Sequence, residues 1–410
     1  MVIKLAWRNL WRNKIRTTTM VCAMVFGLMG VVAMMGFISG MYGNMIDNAI
    51  AWQTSHIQVQ NQRYIDDPDI KETLIDPQSL IEALRTMPEV KSFSARFLVD
   101  GMIASARANR GIRINGVDSD AEAEVTPIVG SIIQGTWLPQ SGRHPIVVSK
   151  KTAERLRLKL GSKVVLTFSN ADKDVTGAAF RVAGIFSSPS SSFDEANSYV
   201  RRNDVSKLAG VKGIHEVAIV LNNSNNMDNH LAKQFARQLS LLTDSGNRVR
   251  DWQEVQPMLA TIISQMGASN AVILAIFVSA MGFGIVNVML MSVFERTREL
   301  GVLMAIGMAK RKVFSLILLE STLLGVTGAT IGSLASLLLV MLLRYTGIPL
   351  GSIAQGLGAF GVDTTLYPSV SFNEYMAAFV TVILVSILAS LYPARQILKQ
   401  RPVDAMSHKH

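Results

Sequence analysis

Asp118, Asp120, Glu122 and Glu124 alternate over seven residues, a spacing that could gather oxygen ligands around a calcium ion. The run lacks the central glycine and terminal glutamate of a calcium-binding loop, so the expectation is a solvated loop. The histidines at 56, 144, 215 and 230 are scattered without metal-ligand spacing, and H-E-x-x-H, G-x-S-x-G and C-x-x-C are absent. The phosphate-cradling pattern G-x-x-x-x-G-K-[ST] is also missing from the sequence. The expectation is therefore no catalytic residue, no metal and no cofactor held by this chain.

A second constellation is charged and compact. Glu295, Arg296, Arg298 and Glu299 stand directly after a long apolar run, and Glu299, Leu300, Leu303 and Ile306 suit a short helix with an apolar face. Gly307 breaks that helix, and Lys310, Arg311 and Lys312 begin the next apolar run. A short helix lying between two spans suits a knob on which a cytoplasmic protein docks; an interfacial connector fits the same residues. Glu320 lies inside the next apolar run, where an ionisable group is costly and often functional. Two roles suit it: fixing helix packing by pairing with Arg395 or Tyr392, or a part in transport.

The elements that must position these residues are written in the hydropathy. Of 410 residues, 49% are hydrophobic and 17% charged, below the roughly 25% charged of soluble proteins. The deficit sits in four apolar runs, assigned as transmembrane segments at 20–43, 257–294 (with a preceding stalk), 313–343 and 374–392. The net charge of +10 comes from residues 1–19, 295–312 and 393–410, all flanking those runs, which excludes a nucleic-acid reading and places both termini in the cytoplasm. The first run is longer than a signal-peptide core and no A-x-A site follows, so it reads as an uncleaved span. The single cysteine, Cys22, lies within it and supplies no disulfide framework.

Before that run, Ile3, Trp7, Leu10 and Trp11 share one helical face and Lys4, Arg8 and Arg12 another, as in an interfacial amphipathic helix. Residues 44–256 form an extracytoplasmic α+β domain of two lobes, 344–373 a short outer loop, and 295–312 and 393–410 the cytoplasmic loop and tail. Asp76 caps a helix over Asp76–Met87 with Pro77 at its first position. Helical apolar spacing from Met258 to Phe294 would extend about 55 Å, more than the roughly 30 Å of hydrocarbon. Met45, Ile46, Ala49 and Ile50 continue a narrow stripe beyond the first run, so two helices are expected to pack as a stalk. Gly36/Gly40 and Gly328/Gly332 have the spacing that lets membrane helices approach closely. Met24, Met29, Met35 and Met281 are adaptable apolar side chains that would suit acyl chains of a substrate, or simply a membrane interior.

The segment ERTRELGVLMAIG, with E-x-x-x-x-G at Glu320 and Gly325, resembles the signature of the FtsX/MacB-type ABC transporter permeases. The matches fall at Glu295, Arg296, Glu299, Leu300, Gly301, Leu303, Ala305, Ile306, Gly307, Glu320 and Gly325. The opening AWRNLWRNKIRT and the closing YPARQILKQRPVDAM resemble that family's termini, and PIVVSKKTAERLRLKLGSKVVLTF is similar to a segment of the lipoprotein-releasing LolC/LolE-type permeases. The resemblance implies four transmembrane helices carrying a MacB-like periplasmic core. It implies a permease subunit of the bacterial inner membrane, paired with a second permease as homo- or heterodimer. Two copies of a cytoplasmic ABC ATPase would hold ATP and Mg and engage the loop 295–312 as a coupling helix, through Glu295, Arg296, Arg298, Glu299, Gly301, Leu303, Ala305, Ile306 and Gly307. The substrate would be amphiphilic, a lipoprotein or lipid. Mechanical signalling to a cell-wall hydrolase or other periplasmic partner, and peptide or drug efflux with an adaptor, stand beside that reading.

Overall fold

The computed structural model describes residues 2–222, 224, 226–351 and 356–399; the expected closing motif from Arg401 onward, with the tail to His410, lies outside them. The chain divides into two compact units. One comprises residues 1–41, 265–348 and 366–410, the other residues 42–264 and 349–365.

The first unit is helical. A helix over Val2–Arg12 turns at Asn13 into a second, Lys14–Ala49, and the Thr17 hydroxyl donates to the Leu10 carbonyl across that turn. Three further long helices run Pro257–Glu295, Lys310–Thr346 and Phe372–Lys399. Among the described residues four helices are long and apolar enough to cross a membrane. Small residues set how closely they approach. A Cβ on Gly328 would fall 2.5 Å from the Met24 sulfur, and one on Gly332 would fall 3.0 Å from Leu28. Met24 is fully buried and Met35 nearly so; Met29 and Met281 are half-buried, Met281 lying beside Gly27. Met24 thus fills helix packing rather than facing an open surface, because its flexible sulfur fits the groove that Gly328 leaves.

The fourth helix begins with a reciprocal cap. Ser371 Oγ accepts from the Glu374 amide at 3.3 Å, and Glu374 Oε2 accepts from the Ser371 amide at 2.8 Å. The other carboxylate oxygen takes Ser39 Oγ at 3.2 Å and Asn270 Nδ2 at 2.9 Å, so one side chain ties three of the long helices.

The second unit is α+β. Its strands are β1 (Ile57–Asn61), β2 (Val90–Ala104), β3 (Asn109–Val117), β4 (Ile132–Gly135), β5 (Pro145–Ser149), β6 (Lys163–Ser169), β7 (Val175–Phe186), β8 (Asn197–Arg201), β9 (Glu216–Leu221) and β10 (Asn247–Asp251). β2 belongs to two halves. Through Arg96 it pairs with β9, extending β10-β1-β9; from Phe97 it pairs with β3. From there β3-β8-β5-β7-β6 returns to β2, closing a ring of six strands. Closure leaves those strands without a free edge. The ring encloses Phe97, Ile103, Ile114, Val164, Leu166 and Phe180, while Leu84, Val217, Ile219 and Leu239 fill a separate core behind the other half. The two cores lie within one compact unit, whose strands run continuously through β2.

Asp118–Glu124 corrects the sequence reading. The segment is a helix, Ser119–Val125, capped by the Asp118 carboxylate, and Glu122 is fully buried rather than solvated. Its carboxylate takes Arg96 Nε at 3.0 Å and Arg96 Nη2 at 2.7 Å, while Arg96 Nη1 reaches Glu216 at 2.9 Å. The alternation is a helix end in which one acid finds a distant arginine. Asp76 does cap the helix Pro77–Thr86, accepting from the Ser79 amide.

Residues beyond the first span carry the expected stripe. Met45, Ile46, Ala49 and Ile50 are buried, and Ile46 and Ile50 pack with Trp252, Leu259 and Ile263. The helix then widens into a π-helical turn, Ile50–Thr54, before β1.

Asp194 gives the second unit a pH dependence. It is buried with its carboxylate accepting the Ser188 amide at 3.1 and 3.3 Å, and burial outweighs those bonds, raising its pKa to about 6. A raised carboxyl pKa means the folded state holds the proton more tightly than the unfolded chain. The stabilisation is complete below the ordinary carboxyl range near 3.8 and is lost as pH rises through about 6. Asp194 alone should take about 2–3 kcal/mol from stability between pH 4 and 7, against the gain from His56 and His215, whose buried imidazoles have lowered pKa values. The difference between the parent and Asp194→Asn unfolding curves measures its share.

Candidate functional site

The loop between the second and third spans gathers the residues singled out by spacing. The helix ending at Glu295 passes through Arg296 into a short helix, Thr297–Ala305. Its end is closed by two reversed bonds: Met308 N to Leu303 O at 3.0 Å and Gly307 N to Met304 O at 3.1 Å. That pairing requires a left-handed residue after the helix, and Gly307 supplies it with φ of +100°. Lys310 then opens the third span.

One side of the short helix rests on the bundle. Gly301 is buried, and Leu303 and Met304 pack against the cluster containing Leu10, Val313 and Ile317. The other side is open. Arg298, Val302, Ala305 and Ile306 are exposed, with Ile306 80% accessible. Their spacing of four, three and one residues puts them on one face.

Behind that face lies a network of three acids and three arginines. Arg12 Nη2 holds both oxygens of Glu299 at 2.7 Å, and Arg296 Nε reaches Glu299 at 3.3 Å. The Arg12 guanidinium keeps the Glu299 carboxyl below its usual pKa range. Arg296 Nη1 also binds Glu320 at 2.9 and 3.2 Å. Arg16 completes the set, 3.8 Å from Glu320 and 3.6 Å from Glu295. Glu320 is only 7% exposed, so it is the deeply placed member, whereas Arg12 and Glu299 are half-open. An exposed pair contributes about 0–1 kcal/mol; removing one partner of a buried pair costs about 3–5 kcal/mol.

Glu320 thus pairs with Arg296 and Arg16, not with Arg395 or Tyr392 as expected. The span carrying it starts at the same loop that carries Arg296, so the arginine folds back by one connection. Arg12 and Arg16 were missed as site residues. Their spacing of four within the basic N-terminal stretch is compatible with one helical face, but only the turn at Asn13 brings them to this loop. The structure therefore places Glu295, Arg296, Glu299 and Glu320 in one network, Gly301 and Leu303 against the bundle, and Arg298, Ala305 and Ile306 on the open face, with Gly307 as the reversal. Among the described residues no group of three metal-binding side chains occurs.

Comparison with known proteins meets this geometry. The model of the MacB-like periplasmic core domain matches residues 17–233, more than half the chain, and that of the FtsX-like permease C-terminal domain matches residues 271–402. The pyoverdine export ATP-binding/permease protein PvdT of Pseudomonas fluorescens is 24% identical over 99% of this chain and 59% of its own length. The uncharacterized ABC transporter permease YvrN of Bacillus subtilis is 22% identical over 99% of both chains. The lipoprotein-releasing system transmembrane protein LolC of Xylella fastidiosa is 20% identical over 82% of both. The chain therefore spans about three fifths of the PvdT relative and nearly all of the YvrN relative. The crystal structure of the periplasmic region of MacB from Actinobacillus actinomycetemcomitans aligns with 53% of this chain and 97% of its own, at 13% identity and a TM-score of 0.37. With Glu295–Gly307 of the signature on one loop, Glu320 and Gly325 in the helix that follows, and both family models matched in order along the sequence, this chain belongs to the FtsX/MacB-type ABC transporter permeases.

Proposed function

We propose that this chain is a non-catalytic permease subunit that converts ATP hydrolysis by a separate ATPase into motion on the far side of a bacterial inner membrane. The observation that carries the reading is the short helix Thr297–Ala305, open on the Arg298–Val302–Ile306 face and braced behind by Arg12, Arg16, Arg296 and Glu320. A push on the open face reaches the third span through Glu320 and the N-terminal helix through Arg12. ATP and Mg belong to the partner ATPase, present in two copies, and a second permease subunit completes the assembly. Both termini and residues 295–312 lie in the cytoplasm, on the side of the basic flanks. The cargo is an amphiphile, a lipoprotein or a lipid.

A second reading, export of a small amphiphilic molecule through an adaptor, is favoured by the relatives named for pyoverdine and macrolide export, whose similarity runs over 99% of this chain. Retention of lipidated protein during purification distinguishes the two.

Glu299→Lys tests the coupling. The substitution puts a cation between Arg12 and Arg296, and the exposed pair it removes costs the fold about 1 kcal/mol or less. Membrane insertion should be unchanged, while ATPase activity of the purified complex should lose its response to the permease by tenfold or more. An unchanged response sinks the bracing role of the network.

A further inference from the structure

At the junction where β2 leaves β9 for β3, the second unit holds a polar cavity of about 390 Å³, within the size range of small-molecule sites. Three arginines line it, and they are not alike. Arg96 spends its donors on Glu122 and Glu216. Arg113 is held on Asp100 by two bonds, of 2.8 and 2.9 Å. Arg250 has only a neutral partner, Gln60 Oε1 at 2.5 Å, and among the described residues no carboxylate pairs with it.

The Arg250 Nε is buried with no acceptor. A buried guanidinium donor left without an acceptor is costly, and burial pulls the Arg250 pKa down, with the nearby Glu216 offsetting part of the effect. Two phenols and two carbonyl oxygens in the lining are also unspent, whereas Gln60, Asn115 and Asn197 are hydrogen-bonded within the protein. Tyr64 and Tyr199 line the cavity, and among the described residues neither hydroxyl has a hydrogen-bond partner. Gln58 and Gln256 use their amide N–H groups on Gln53, at 3.2 and 2.9 Å, which leaves their carbonyl oxygens as acceptors.

We propose that this cavity binds a small carboxylate that also carries amide N–H groups, such as the C-terminal end of a short peptide, with Arg250 as its anchor. The guanidinium fork takes the carboxylate through parallel N–H bonds, the phenols of Tyr64 and Tyr199 donate to its outer lone pairs, and the Gln58 and Gln256 carbonyls accept its amide protons. Selection comes from aimed donors, since Glu122, Glu216 and Asp100 already match the three arginines in charge. Gln53 lies in the π-helical turn that follows the first long helix, and Gln256 directly precedes the second. An occupant therefore touches the roots of both. The site stands or falls independently of the coupling reading.

The test is calorimetric titration of the full chain in lipid nanodiscs with N-acetyl-dialanine and with its C-terminal amide, which match in size and differ in the carboxylate. The acid should bind at least tenfold more tightly than the amide. Arg250→Gln should weaken the acid at least tenfold while the thermal midpoint without ligand stays in place, and Arg250→Lys, which keeps charge but loses the fork, should fold and bind more weakly than the parent. Equal binding of acid and amide overturns the proposal. So does undiminished binding in Arg250→Gln or Arg250→Lys, or no binding of the acid at millimolar concentration.

Discussion

Arg96→Ala should lower the thermal midpoint of the second unit by about 10 °C, the largest stability loss expected of a single substitution in it. Arg96 is 6% exposed, Glu122 0% and Glu216 4%. Deleting the arginine strands two carboxylates in a packed interior, at a cost of about 3–5 kcal/mol. A whole domain is stable by about 5–15 kcal/mol, so this loss is a large share of it. The position adds to the effect, because Arg96 is the last residue of β2 paired with β9 and Phe97 the first paired with β3. The ion triad thus pins the helix Ser119–Val125 and β9 to the strand that joins both halves. Thermal unfolding of the full chain by near-ultraviolet circular dichroism measures the loss. Replacing all three residues by apolar ones of similar volume should recover most of it, because paired buried charges offset each other at a high desolvation cost. A midpoint unchanged in Arg96→Ala would show that water reaches the triad.

Ile263→Pro has the largest expected effect on function. The helix Pro257–Glu295 runs without interruption, and Ile263 packs with Ile46, Ile50 and Trp252 near its start. Proline removes the bond from its own amide and clashes one turn back, costing about 3 kcal/mol or more in a helix interior. If this helix carries displacement outward from the loop at Thr297, breaking it there disconnects the two ends. Insertion and ATPase binding should persist, while transport or signalling in cells should fall to background. Full function in Ile263→Pro would make the helix a passive tether.

Much of this architecture is legible in the residues themselves. Four apolar runs, the basic flanks, the Asp76-Pro77 start and the stripe Met45–Ile50 each depend on neighbours within a few positions, which is the range over which periodicity speaks. The reversal at Gly307 is legible for the same reason. What stays hidden is long-range. Glu122 reads as one acid of a solvated run because Arg96, which buries it, is on another strand. Glu320 announces its cost in an apolar run but not its partners, since Arg16 arrives from the first turn of the distant helix Lys14–Ala49. Met24 looks like any membrane methionine until Gly328 defines the space it fills. β2 is a further case: Ser94–Val99 are all buried, so no alternation marks the strand, and nothing local says that it changes partners at Phe97.

The central claim is that the open face of the helix Thr297–Ala305 receives a separate ATPase. A photo-crosslinking residue in place of Ile306, with another at Val272 on an exposed apolar stretch of the second span as control, tests it in living cells. The expected result is an adduct at Ile306 that retains a nucleotide-binding protein and is labelled by an ATP analogue, with none at Val272. An Ile306 adduct free of any nucleotide-binding protein, or crosslinks only to extracytoplasmic proteins, would contradict it.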